Sequence, residues 1–167
     1  MSQQDLLETA NTQLDTFRSE VIASAQLLRD FTRRMELILS QDRRNLEIRD
    51  NTFSDEFSAF CRDLRKKYDE SLPYWQKTRL DLKSYQAKDD YGFALAVKSF
   101  ALKCKALSRI TDDFTTAYDA FNRIYKNYTL SKLPVWLLTA CCEDLNNLTG
   151  KLLFLARELS KKTEKGS

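Results

Sequence analysis

Four cysteines, Cys61, Cys104, Cys141 and Cys142, are the first side chains of this 167-residue chain to weigh for nucleophilic, redox or metal chemistry. No two stand at CxxC spacing, and the chain has no histidine. A structural zinc site would therefore need thiolates converging from three separate helices. Without histidine the commonest general base and metal ligand are missing, and the Glu-x-x-His pairs of di-iron bundles cannot be built. The chain carries no glycine-rich phosphate loop, no nucleophile elbow and no kinase signature. Its Asp and Glu residues fall mostly off the apolar seams, where solvated charges belong. No catalytic, cofactor-binding or metal-ligating residue is assigned, and the expectation is a protein that is not an enzyme and uses no cofactor. Cys104 and Cys141 lie on apolar seams and read as buried free thiols, which fits a reducing, cytoplasmic setting.

Two groups of side chains have types suited to recognition. The first is basic. If the first two helices turn back at Asn51, Arg43 and Arg44 come near Arg62, Arg65, Lys66 and Lys67. Such a cluster would attract phosphates or anionic lipid headgroups. Asp42, Glu47, Asp55, Glu56 and Asp63 are interleaved with it, so a solvated face of mixed charge is the simpler reading. On that reading Arg65→Asp leaves stability nearly unchanged. The net charge of +3 demands no polyanionic partner, and nucleic acid is an unlikely one. The second group is aromatic: Tyr74 and Trp75 follow Pro73, and Tyr91 and Phe93 open a later helix. Large aromatics at a kink or bundle end suit the anchoring of a protein partner.

The elements that must position these residues read as helices. Leu138, Cys141, Leu145, Leu148, Leu152, Leu155 and Leu159 recur at alternating steps of three and four, one face of a helix at 3.6 residues per turn. Val135, Trp136, Leu137, Ala140, Leu153 and Phe154 widen this stripe, so neighbours are expected on more than one side. Replacing Leu148 or Leu152 with Asp is expected to unfold the protein. The same coiled-coil-like step runs from Leu7 to Ile38, from Phe53 to Trp75 and from Phe93 to Tyr128. The predicted fold is all-α: an elongated, antiparallel up-down-up-down four-helix bundle. Its helices cover about 3–49, 54–88, 92–128 and 133–161, with the first break at Asp50-Asn51-Thr52. Pro73 is expected to kink the second helix, or to stop and restart it, near Ser71-Leu72. Gly150 falls inside the fourth helix, and close approach by a neighbour is expected there. With 3 glycines and 2 prolines the chain has little turn chemistry for strands. Residues 1–167 read as a single domain with a flexible tail over 162–167.

Long helices with wide apolar stripes suit lateral association. The expected function is a helical-bundle protein-interaction module: a scaffold, adaptor or assembly subunit, engaging a protein partner or a second copy. The alternative is a membrane-acting bundle that binds anionic lipid. In architecture the chain is similar to the helical cell-death executors of the mixed-lineage-kinase-like and fungal HeLo kinds and to α-helical pore-forming toxins. The apolar run from Leu133 to Cys142 and the basic second half are compatible with that alternative, although the run is too short to span a bilayer.

Overall fold

A computed structural model of the chain describes residues 3–41, 46–84, 91–128 and 132–165, and within these the side chains of 3, 4, 46–49, 91, 164 and 165 are outside the described set. Four α-helices account for nearly all of it: α1 (Gln3–Leu39), α2 (Leu46–Lys83), α3 (Tyr91–Tyr125) and α4 (Val135–Lys165). At 1.5 Å per residue they are about 46–57 Å long, so the expected elongated four-helix bundle is what the chain forms.

Cross-helix contacts fix the directions. Arg34 pairs with Glu56, and Phe17 meets Tyr68 further along, so α1 and α2 are antiparallel. Asp15 pairs with Lys103 and Asp113 with Arg29, so α1 and α3 run the same way. Thr111 meets Thr149 and Tyr118 meets Thr139, so α3 and α4 are antiparallel. The order is up-down-up-down. Loop length sets only direction, however; which helices touch is decided by their faces. α1 packs against α2 and α3, and α4 against α2 and α3, while α2 and α3 lie across the diagonal. Their side chains still meet in the middle, where Phe57 stacks on Phe121 with centroids 4.6 Å apart.

The seams are the core. Every position of the α4 stripe from Leu138 to Leu159 is buried, as are Leu7, Leu14, Val21, Leu28 and Met35 of α1. Aromatics fill the end of the bundle where α1 finishes and α2 begins. Phe31 meets Phe53 and Phe57 edge-on at 5.7 and 5.4 Å, the geometry ring quadrupoles favour. The Arg34 guanidinium caps this cluster, 5.2 Å from the Phe31 centroid and 5.5 Å from that of Phe53.

Several expectations are corrected. The first break falls earlier, because α1 ends at Leu39 and Asp50, Asn51 and Thr52 are inside α2. Asp50 is buried there, 4% exposed, so a polar triplet that looks like a turn is helix. α2 runs through Pro73 without a stop and restart. Pro73 is exposed, and on the solvent side the carbonyl left unpaired by its ring can turn to water. The carboxyl-terminal tail is helical as far as Lys165, and Lys162 donates from Nζ to the Lys83 carbonyl at 2.8 Å. No described residue approaches Gly150: a Cβ placed there would meet nothing within 4 Å. Trp136 and Phe154 stay 71% and 58% exposed, because α4 has two neighbours and these residues point away from both. The expected helix ends over 85–90 and the break at 129–131 lie outside the described residues.

Candidate functional site: the seam between the first two helices

Of the basic residues singled out in the sequence, the four described ones are spread around α2. Arg43 and Arg44 lie outside the described residues. Arg65 turns inward, 18% exposed at its side chain, and pairs with Asp69 at 2.5 Å and Asp144 of α4 at 2.6 Å. It is a clasp between α2 and α4, not a charge on a solvated face, and the expectation that Arg65→Asp leaves stability nearly unchanged loses its basis. Asp69 is held below the usual carboxylate range by its hydrogen bond from Arg65. Arg62 and Lys66 are exposed. At 100° per residue Arg62, Arg65 and Lys66 cannot share a narrow face with Lys67.

The aromatic candidates divide. Trp75 is 2% exposed and Phe93 1%; both are core, so neither presents a surface to a partner. The Tyr91 side chain lies outside the described residues. Tyr74 is half-buried, its ring 5.2 Å from that of Trp75. It borders the α1–α2 seam.

That seam is an open feature of the bundle. Where α1 leans on α3 it parts from α2, leaving an apolar groove of about 750 Å³. A smaller cavity of about 170 Å³ continues it past Thr16 and Glu20 to Tyr74 and Trp75. The cause is a pattern of large and small residues. At one end Phe31 packs on Phe60 at 5.3 Å. At the other Phe17 packs on Tyr68 at 5.9 Å and on Trp75 at 6.5 Å. These rings act as spacers between the two helices. Between them α1 carries Ser19, Ala23 and Ser24, too small to close the gap, and Ala59 of α2 lines the groove beside Phe60. From Gln13 to Phe31 the seam follows α1 for about 27 Å.

Two further features mark the groove. Leu27 lines it and is 48% exposed, one of several large apolar side chains on the surface of the bundle. Tyr68 lines it too, is only 3% exposed, and its hydroxyl makes no well-formed hydrogen bond among the described residues, although the Ser24 hydroxyl stands close to it. A buried hydroxyl left unpaired carries its whole desolvation penalty. Burial pushes the Tyr68 phenol well above its ordinary value, with the Cys141 and Cys142 thiols adding to it and the Ser24 hydroxyl opposing. The hydroxyl is therefore protonated at neutral pH and free to donate.

The rim is acidic, not basic. Glu20, Asp63 and Glu70 border the two cavities beside Lys67. None of the three carboxylates has an ion-pair partner among the described residues. Glu56 also borders the groove, but it is paired with Arg34.

The cysteines are all free and buried. Burial pushes the thiols of Cys61 and Cys104 up to about 12 and that of Cys141 up to about 11. These groups are held as thiols and not as nucleophilic thiolates. Among the described residues no three Cys, Asp or Glu side chains are grouped as metal ligands would be, and no helix is long and apolar enough to cross a membrane.

Neither the small-residue pattern nor the groove was read from the sequence. Ala23 and Ala59 each look like neutral positions on the outer side of their own helix, and only the antiparallel pairing brings both to the lining of one groove. Compared with protein-family models, with curated proteins and with solved structures, the chain matches none.

Proposed function

We propose that this protein is a non-enzymatic helical-bundle interaction module that receives a helix of a protein partner in the seam between α1 and α2. The observation that carries this reading is the apolar groove of about 750 Å³, held open at both ends by aromatic spacers. An amphipathic helix lays its apolar face into such a groove, with anchors at every third or fourth residue. A fifth helix there would cover Leu27 and complete the layer that α1 and α2 leave unfilled. The length of the seam, about 27 Å, matches five turns of helix.

The test is site-specific photocrosslinking in the cells the protein comes from. A photoreactive residue at Ala23 or Ala59, both exposed in the groove, is compared with one at Ser99, exposed on α3. The expected result is a discrete adduct from both seam positions and none from Ser99, with the crosslinked peptide of helical, amphipathic sequence. Adducts that form equally from Ser99, or none from either seam position, overturn the proposal. Flotation with anionic vesicles tests the membrane-acting alternative, which predicts co-flotation that Ala59→Arg does not disturb.

A further inference from the structure

The seam between α1 and α2 also carries information about the chemistry of its occupant, an inference that rests on the groove being a docking site for a helix. Chain-wide, cations outnumber acids, 27 Lys and Arg against 24 Asp and Glu. Along the seam the balance inverts. Glu20 stands on the α1 side and Asp63 and Glu70 on the α2 side, all without ion-pair partners among the described residues, against Lys67 alone. Beneath the apolar floor between them lies the Tyr68 phenol hydroxyl, buried and protonated, close to the Ser24 hydroxyl but with no well-formed hydrogen bond among the described residues. A helix laid along this floor would put its flanking residues against carboxylates on both sides. A helix with cationic flanks gains attraction there, whereas an acidic one meets like-charge repulsion.

We propose that the occupant is a basic amphipathic helix of a partner protein, with an aliphatic stripe on the groove floor, Lys or Arg beside Glu20, Asp63 and Glu70, and one hydrogen-bond acceptor facing the Tyr68 hydroxyl. The acceptor is a side-chain amide or hydroxyl oxygen, because helical backbone carbonyls are already engaged. The carboxylates set the on-rate and the sign of the partner, whereas the phenol sets register along the seam. Tyr68 contributes a donor already stripped of water, so pairing it carries no further desolvation cost on this side of the interface.

The experiment pans a display library of randomised 18-residue helical peptides against the full chain, and in parallel against Glu20→Lys/Asp63→Lys/Glu70→Lys, three substitutions on the rim. Against the wild-type chain the expected peptides are net positive, with aliphatic residues at i, i+3, i+4 and i+7. Against the triple variant the enriched net charge changes sign. The best peptide is then titrated against Tyr68→Phe. A single neutral hydrogen bond corresponds to about a 2- to 12-fold loss of affinity, and the folded chain itself should be no less stable without the orphan hydroxyl. Enriched peptides that compete with Ala59 crosslinking but are neutral or acidic leave the seam reading standing and overturn the inference about charge. Peptides that fail to compete with Ala59 crosslinking, or no enrichment over an empty support, overturn both. Tyr68→Phe binding as tightly as wild type removes the acceptor from the proposal.

Discussion

Arg65 is the residue whose replacement best separates a packed clasp from a solvated surface charge. Its guanidinium bonds at once to Asp69, one turn further along α2, and to Asp144 on α4. Asp69 is 61% exposed, and an i,i+4 pair of this kind contributes about 0.3–0.5 kcal/mol. Asp144 is 32% exposed. Its bond to a largely buried guanidinium is charge-assisted, about 1.5–3 kcal/mol before screening, and about 1–2 kcal/mol once solvent access is discounted. Arg65→Ala should therefore cost about 1.5–2.5 kcal/mol. At about 2–4 °C per kcal/mol for a chain of this length, Tm should fall by about 3–10 °C. Arg65→Asp should cost more, since it sets a third carboxylate beside two. Urea titrations of Arg65→Ala, Asp144→Ala and the double variant measure the pair directly, with an expected coupling of about 1–2 kcal/mol. The acid limb adds a second readout. Asp69 is held below its unfolded value by Arg65, so its contribution is present above the unfolded carboxylate pKa of about 3.9 and is lost as pH falls through the folded one. The wild-type chain should lose that increment in acid, and Arg65→Ala should not. Single variants within about 0.5 kcal/mol of wild type, the scatter of neutral surface changes, together with zero coupling, would refute the clasp.

Gly150 faces open space in the middle of α4, so Gly150→Ala should stabilise by about 1 kcal/mol and raise Tm by about 2–4 °C; destabilisation on thermal scanning would mean that a neighbour does approach. Leu152 is fully buried, and Leu152→Asp should abolish the cooperative helical transition seen by far-ultraviolet circular dichroism, because an unpaired carboxylate would sit in the core. Leu148→Asp, at a position 7% exposed, should be the milder of the two. The buried thiols of Cys61, Cys104 and Cys141 keep their protons to pH values well above their ordinary 9.0. Between about pH 9 and 11 the unfolded chain releases protons that the folded one retains. Stability should therefore fall across that interval, and a variant with the three replaced by Ala should show a shallower fall in the same urea titrations.

The core was legible because each helix carries its own evidence for it. The alternation of three and four from Leu138 to Leu159 needs no knowledge of the other helices, and every one of those positions is buried. Trp75 ends the stripe from Phe53, yet its place two residues after Pro73 makes it read as an exposed anchor; it is core, and the periodicity outranks the proline. Boundaries were less legible. Asp50-Asn51-Thr52 has the composition of a turn, yet the helix runs through it, because the face that begins at Asp50 and Phe53 is already packed. Which helices touch was not legible, since the alternation of direction does not choose between neighbours and diagonals. The features that depend on pairing escaped for this reason. Arg65 reads as a surface cation until Asp144 is brought to it from α4, 79 positions along the chain. The α1–α2 groove needs the pairing of two helices, because the small residues Ser19, Ala23 and Ser24 of α1 open a gap only where aromatic spacers hold α2 away from them.

Docking of a basic helix into the opening between α1 and α2 is best read by amide chemical-shift mapping on the labelled full chain, titrated with the tightest net-positive library peptide. The expected shifts are confined to residues 13–31 of α1 and 56–75 of α2, and Ala59→Arg abolishes them in a chain whose remaining spectrum is unchanged. Shifts centred on the exposed outer side of α4 around Trp136 and Phe154, with the α1–α2 amides unmoved, would contradict it.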